Sequence, residues 1–382
     1  MRANLEQRTV LGWIDGLRIF ACFLVVFSHC CDGFVAEFDN DRSSFLTGVF
    51  LGSLVRPCVP LFVMMTGVLL LPINSSLSLS SFYKKRIGRL FWPFVFWSLC
   101  LPLLFYVYFT GWGVGSVNPA IPMESYTLDG LLNRWVTFPI NFNYDTTPLW
   151  YLYMLVGLYL LIPILNAWLL QATKKDLLLV LKLWGASLLL PYLKMIFPIL
   201  GYMGNYGNLD ILGGCDWNVY SSLYYISGFI GYLILAYYLM RYPIVWSWRK
   251  LCVIGIPVFL VGYLVTSFGY IILQNYFPGN YAYLEIIWLF CGLNVFMMTF
   301  PLFLIFQKIK FKNRSWVRTL ASCTFGIYLS HFFWVAVFYD LFNISLLPDV
   351  LRIFLMAFTT FVVSFFIVYV MSKNDFTKRF IA

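Results

Sequence analysis

Ten long apolar segments constrain this 382-residue chain more than any other feature of its sequence. Apolar residues make up 61% of the chain and charged residues only 11%, whereas soluble domains carry about 25% charged residues. Each segment is long enough to cross a bilayer, allowing for some tilt. The sequence therefore predicts an all-α integral membrane protein with about ten transmembrane helices. They are expected near residues 13–32, 46–72, 88–110, 147–171, 177–200, 219–240, 251–274, 283–306, 319–342 and 350–371.

The lysines and arginines between these segments predict the orientation of the chain. If the N-terminus is inside, nearly all basic residues fall on inside segments, and only Arg42 and Arg134 fall outside. This is the pattern of the positive-inside rule, and it predicts that both termini are cytoplasmic. The net charge of +10 then reflects topology, so no nucleic-acid partner is expected. With no repeat and no soluble boundary in the sequence, we expect a single membrane domain over 1–382 without a fused soluble domain.

Ionisable residues in the first apolar segment mark a candidate site. Arg18 and His29 are eleven residues apart, close to three helical turns, so they lie on one side of a helix about 16 Å apart. Asp15 precedes Arg18 by three residues and can pair with it. Charged residues in a membrane helix usually face the bundle interior or a wet cavity. Asp15 and Arg18 alone are also consistent with a helix end at the headgroups, but that interpretation does not account for His29.

Two further groups of basic residues are candidates for binding. Arg56 lies inside the second apolar segment beside Pro57, where a broken helix can line a cavity; a kinked helix with an outward-reaching arginine is the alternative. Lys85, Arg86 and Arg89 precede the third segment. Arginine binds phosphate bidentately and lysine adds a point charge, so this cluster suits a phosphate-rich cytoplasmic ligand. Ordinary positive-inside anchoring is the alternative.

The later segments add aromatic and imidazole candidates. Trp150 and Tyr151 begin the fourth segment, and Tyr328 and His331 share a helix face in the ninth. The aromatic residues are also typical of an interfacial belt. Both histidines of the chain lie in apolar segments, which favours function for at least one of them. No glycine-rich phosphate loop, Gly-x-Ser-x-Gly elbow or metal-ligand spacing occurs, so the expected catalyst is an imidazole and no metal is expected.

Taken in order, these motifs resemble the membrane acyltransferase-3 family, whose members acylate sugars of bacterial surface polysaccharides and related molecules. The resemblance covers nearly the whole chain, and Thr66 stands where the family usually has serine. The matching residues are Asp15 to Arg18 with His29, Val59 to Leu71, Arg86 with Arg89, Leu149 to Leu152, and Ile327 to His331.

The resemblance implies transfer of an acyl group, expected to be acetyl, from cytoplasmic acyl-coenzyme A. Arg86 and Arg89, with Lys85, would bind the coenzyme A phosphates. His29 would serve as base or acyl carrier, and Asp15 would orient Arg18. The implied acceptor is a hydroxyl of a surface glycan or lipid-linked saccharide at the bacterial plasma membrane, with membrane lipids, a second copy or another envelope-biosynthesis protein as further partners. A transporter or flippase, and a membrane sensor that binds an acylated ligand, are the rival hypotheses.

Overall fold

The computed structural model describes residues 2–73, 78–111, 115–140, 142–201, 223–311, 314–343 and 346–381. Helices dominate these residues, and none of them forms a strand. Nine helical stretches within them are long and apolar enough to cross a membrane, which confirms the all-α membrane fold. These stretches are Gly12–Val35, Arg42–Leu70, Leu79–Gly111, Tyr144–Leu169, Lys174–Phe197, Trp248–Tyr276, Tyr281–Lys308, Ser315–Phe342 and Asp349–Met371. The cytoplasmic location of both termini stays a prediction.

The chain forms two compact units, and the first contains 1–55, 75–161 and 310–382. The expectation of a single domain over 1–382 therefore stays a prediction. The first unit comprises α1 (Arg2–Val35), α2 (Arg42–Leu54), α4 (Leu79–Arg86), α5 (Gly88–Tyr106), α6 (Leu128–Thr137), the first part of α7 (Trp150–Leu169), α14 (Ser315–Phe342), α15 (Asp349–Met371) and α16 (Asp375–Lys378).

Helix α1 is central to the first unit and packs against α2, α14 and α15. The thiol of Cys22 donates to the carbonyl of Thr324 on α14 at 3.4 Å. On the α15 side, the rings of Phe27 and Phe354 meet edge to face at 4.9 Å. A Cβ at Gly48 would lie 2.8 Å from the Cβ of Phe34, so the glycine is what allows α2 to approach α1 closely. These contacts hold the middle of α1 inside the bundle.

The second unit contains 56–74 and 162–309. Its helices are α3 (Cys58–Leu70), the remainder of α7, α8 (Lys174–Ser187), α9 (Leu190–Ile199), α10 (Ile230–Arg241), α11 (Trp248–Tyr276), α12 (Tyr281–Trp288) and α13 (Leu293–Lys308). The buried amide of Asn294 donates to the hydroxyl of Thr266 at 2.8 Å and to the carbonyl of Ile287 at 2.7 Å. Because buried polar groups need partners, these bonds fix α13 against α11 and α12.

Several predicted segments are shorter or more broken than the apolar pattern indicates. The second segment is interrupted at 55–57, between α2 and α3, where Pro57 precedes the first turn of α3 and cannot continue the helical hydrogen bonding. The predicted sixth segment, 219–240, contains the twelve-residue helix α10, and residues 202–222 lie outside the described part of the chain. The stretch between the predicted fifth and sixth segments, 201–218, therefore lies almost wholly outside it as well.

Candidate active site

A histidine–aspartate pair lies near the C-terminal end of α1. The Nδ1 atom of His29 is 2.8 Å from Oδ2 of Asp32, one turn further along the helix. The side chain of His29 is 18% exposed and that of Asp32 is 39% exposed. A carboxylate oxygen only accepts hydrogen bonds, so Nδ1 of His29 carries the hydrogen in this pair. The second ring nitrogen, Nε2, then has the free lone pair that a base or a nucleophile needs.

The second histidine of the chain lies directly beside the first. The ring centroids of His29 and His331 are 5.3 Å apart, and His331 is fully buried on α14. Its Nδ1 is 2.6 Å from the carbonyl oxygen of Tyr328. Since a carbonyl also only accepts, Nδ1 of His331 is the donor and Nε2 has the lone pair. That Nε2 atom is buried and has no hydrogen-bond partner within the described residues.

Aromatic side chains surround these two imidazoles, which we call the histidine centre (His29, Asp32 and His331). The ring of Phe332 meets that of His29 edge to face at 5.1 Å and lies 5.1 Å from the ring of Tyr144. The charge of Asp32 also acts on the phenol of Tyr144. The histidine centre therefore has an aromatic wall, and a phenol lies within electrostatic reach of Asp32.

A buried ion pair holds the segment that leads into Tyr144. Nη1 of Arg134 lies 3.4 Å from Oδ2 of Asp145, and both side chains are at most 5% exposed. The hydroxyl of Tyr126 donates to the other carboxylate oxygen of Asp145, and the guanidinium of Arg134 lies over the Tyr126 ring at 4.6 Å. Burial, followed by the charge of Asp145, raises the pKa of Tyr126. The phenol therefore stays protonated and keeps donating to the carboxylate.

Arginines gather at the other end of the same stretch of α1. Nη1 of Arg18 is 3.7 Å from Oδ1 of Asp15, too long for a strong hydrogen bond. The charge of Arg89 also acts on Arg18, and that of Arg318 acts on Asp15. The Asp15 carboxylate thus interacts with two guanidinium groups, those of Arg18 and Arg318, while Arg18 is also close enough to Arg89 to be repelled by it. Because like charges repel, this part of the protein favours an added anion.

Arg86 lies in the same neighbourhood at the end of α4. Arg86 ends α4 and Arg89 lies in the first turn of α5, with Ile87 between the two helices. The charges of both arginines nevertheless act on the phenol of Tyr159 on α7. Nε of Arg86 is buried and has no hydrogen-bond partner in the described part of the chain. Lys85 beside it is exposed. We call Arg18, Arg86, Arg89 and Arg318 the arginine cluster; it contains an unused buried donor as well as an excess of positive charge.

The remaining predicted site residues make hydrogen bonds and ring contacts of their own. Arg56 belongs to the second unit, where its Nε and Nη2 atoms donate to the carbonyl of Trp288. The hydroxyl of Tyr328 donates to the carbonyl of Pro148, which ties α14 to the turn before α7. The ring of Tyr151 lies 5.5 Å from that of Tyr328 and 6.2 Å from that of Trp150. These aromatic residues therefore support the helix that positions His331.

Sequence analysis missed Asp32, Tyr159 and Arg318 as site residues. The spacing of Asp32 could have revealed it, since it follows His29 by three residues and residues at that spacing meet on a helix. The other two reach the site through contacts between helices, which spacing along the chain does not show. Asp15 and Arg18, predicted as catalytic together with His29, lie about three to four turns from it on the continuous helix α1, or about 16–20 Å.

Comparison with known proteins gives one match. A family model described as an acyltransferase domain matches residues 11–369, which is nearly the whole chain and includes the histidine centre and the arginine cluster. No curated protein and no solved structure matches the chain significantly.

Proposed function

We propose, from the premise that this chain belongs to the acyltransferase-3 family of membrane proteins, that it is an O-acyltransferase. It moves an acyl group, specifically acetyl, from cytoplasmic acetyl-coenzyme A to a hydroxyl of a cell-surface glycan or lipid-linked saccharide. The observation that carries this proposal is the free Nε2 of His29, whose other nitrogen donates to Asp32. Such a histidine can take a proton from a hydroxyl or accept an acyl group.

The arginine cluster is the proposed site for the phosphates of coenzyme A. The buried, unpartnered Nε of Arg86 and the neighbouring charge of Arg89 suit charge-assisted hydrogen bonds to phosphate oxygens. Arg18 lies on α1 about 16 Å from His29, and exposed Lys85 adds a positive charge beside Arg86. In this arrangement the phosphates bind near the start of the apolar span of α1, Gly12–Val35, while the flexible arm of the donor extends towards the histidine centre.

The acceptor is proposed to bind beside the histidine centre. Phe332 contacts the rings of both His29 and Tyr144, and this combination of an aromatic ring with a phenol suits a sugar ring. We place the protein in the bacterial plasma membrane as a multi-pass enzyme, because the apolar helices and the family support a membrane location. A second copy of the chain or another envelope-biosynthesis protein is the proposed partner that delivers or withdraws the saccharide.

The direct test uses purified wild-type protein and the variant His29→Gln with radiolabelled acetyl-coenzyme A. The acceptor probe is a lipid extract of the host that contains its lipid-linked saccharides. Label should enter the saccharide with the wild type and not with the variant, while both proteins remain monodisperse and equally heat-stable. Full transfer by folded His29→Gln would show that the assigned site is wrong. A wild-type protein that moves the saccharide across vesicles but transfers no label would favour a flippase instead.

A further inference from the structure

The histidine centre contains two imidazoles, whereas transfer by a single general base requires only one. Nδ1 of His29 is occupied by Asp32 at 2.8 Å, so Nε2 is the only atom of this ring that can react. A histidine whose Nε2 carries an acyl group has no lone pair left to take a proton from the incoming hydroxyl. Covalent transfer through His29 therefore needs a second base within reach.

His331 meets this requirement on three observations. Its ring lies 5.3 Å from that of His29, close enough for both rings to contact the same reacting group. Its Nδ1 donates to the carbonyl of Tyr328, which fixes the lone pair on Nε2. That Nε2 is fully buried and has no partner among the described residues. A buried acceptor without a donor is costly to a protein, and it is explained if a substrate hydroxyl supplies the donor.

We propose that the two imidazoles divide the reaction, with His29 as the acyl carrier and His331 as the base that activates the acceptor hydroxyl. This inference rests on the proposed function and specifies its chemical course. Donor and acceptor then never occupy the site together, as suits a donor from the cytoplasm and an acceptor from the other side of the membrane. The class of acceptor is any saccharide that places one free hydroxyl beside both rings.

The first half of the reaction acylates His29. The Nε2 lone pair attacks the thioester carbonyl carbon, the carbon–sulfur bond breaks, and coenzyme A leaves with the electron pair as a thiolate, which takes a proton from water. The ring gains a positive charge, and the carboxylate of Asp32, already bonded to Nδ1, stabilises it.

The second half of the reaction removes the acyl group from His29. The acceptor oxygen attacks the carbonyl carbon while its proton passes to Nε2 of His331. The carbon–nitrogen bond then breaks, and its electron pair returns to Nε2 of His29. Once the ester leaves the histidine centre and admits solvent, His331 releases the proton, so the products are an ester and the free thiol.

The burial of His331 suits this division of labour. His29 is 18% exposed, but the Nε2 atom of His331 has essentially no exposed surface. Bulk water therefore does not reach the base in the free protein, and water is not activated to hydrolyse the acyl-imidazole. The acceptor hydroxyl reaches the base only by entering the histidine centre itself.

Two substitutions separate catalysis from packing at this position. In His331→Asn, the amide nitrogen lies near the original Nδ1 and can still donate to Tyr328, but the base is gone. In His331→Gln, the amide oxygen lies near the original Nε2 and keeps an acceptor that is not basic. Each variant is mixed with radiolabelled acetyl-coenzyme A, first alone and then with the lipid extract, and protein-bound and saccharide-bound label are both measured. Thermal unfolding of each variant in detergent is measured alongside.

We expect both His331 variants to become labelled on the protein, and to transfer label about 10²–10⁴-fold more slowly than the wild type, the usual contribution of a general base. Hydroxylamine, which attacks acyl-imidazoles without a base, should release the trapped label. His29→Gln should acquire no label. If the wild type transfers label but the folded His331 variants are not labelled, or if they transfer at the wild-type rate, the division of roles is wrong while the proposed function stands. A wild type that transfers nothing overturns both.

Discussion

Replacing Asp32 by asparagine removes one negative charge beside His29 and almost no volume. In the native protein, Oδ2 of Asp32 accepts from Nδ1 of His29 at 2.8 Å. The imidazole becomes cationic during transfer whether it takes a proton or an acyl group. The carboxylate therefore stabilises the transition state more than the resting state, so its removal should lower kcat rather than raise the KM for either substrate.

The size of the effect follows from the kind of hydrogen bond that is lost. Bonds to charged groups contribute about 1.5–3 kcal/mol and neutral ones about 0.5–1.5 kcal/mol, so exchanging one for the other costs about 1–2 kcal/mol. Solvent screening keeps the cost from being larger, because the two side chains are 18% and 39% exposed. Since 1.4 kcal/mol is a factor of ten, we expect kcat to fall about 5- to 30-fold.

The assay compares initial rates of acetyl transfer by the wild type, Asp32→Asn and Asp39→Asn over a range of acetyl-coenzyme A concentrations. Asp39 is an exposed carboxylate in the turns after α1, so its substitution removes the same charge away from the imidazole and should leave kcat unchanged. Equal kcat for the wild type and Asp32→Asn would refute the reasoning. An equal loss in Asp39→Asn would show that the effect comes from overall charge and not from the contact with His29.

Three further predictions concern the donor site and the packing. Arg89→Ala should raise the KM for acetyl-coenzyme A about 10- to 100-fold with little change in kcat, as expected for the loss of one charge-assisted bond to phosphate. The control Lys84→Ala, at an exposed lysine, should change the KM far less. Equal effects of the two substitutions in initial-rate measurements would point to general charge attraction. Asp145→Ala leaves a buried guanidinium without its partner and should lower the free energy of unfolding by about 3–5 kcal/mol, and a denaturant titration in detergent showing no loss would contradict the importance of this ion pair. Gly231→Ala would place a Cβ against the indole of Trp184 and should lower the free energy of unfolding by about 1–3 kcal/mol. The control Gly185→Ala, where the Cβ meets open space, should leave the free energy of unfolding unchanged or raise it by up to about 1 kcal/mol. Thermal unfolding of the two variants at the same midpoint would refute this account.

The membrane fold was predictable because the lengths of the apolar segments and the positions of the charged residues can be read directly from the sequence. The break at 55–57 follows a visible proline, Pro57. The interruption between α12 and α13, at 289–292, has no proline to announce it. Instead, the amide of Asn294 donates to the carbonyl of Ile287 and stabilises the interruption. The hydrophobic periodicity of the sequence does not predict a tertiary hydrogen bond of this kind.

The candidate site was only partly predictable, for a related reason. His29 and Asp32 are three residues apart, so a helical pattern alone brings them together. The proximity of His29 to His331 depends on how α1 packs against α14, and two imidazoles in separate apolar segments do not show it. The contact of Nδ1 of His331 with the carbonyl oxygen of Tyr328 likewise appears only in the structure.

The packing of α1 against α14 also sets the order in which this protein can mature. The contact between Cys22 and Thr324 joins residues that are 302 positions apart in sequence, and the histidine centre lies on the same pair of helices. Helix α1 leaves the ribosome long before α14, and its buried face waits while the helices between them are synthesised. Contacts of such long range form late and leave apolar surface open to wrong partners in the meantime. Biogenesis therefore delays the assembly of the histidine centre until the helices between α1 and α14 have been inserted, and shortened chains that stop before α14 should accumulate without it.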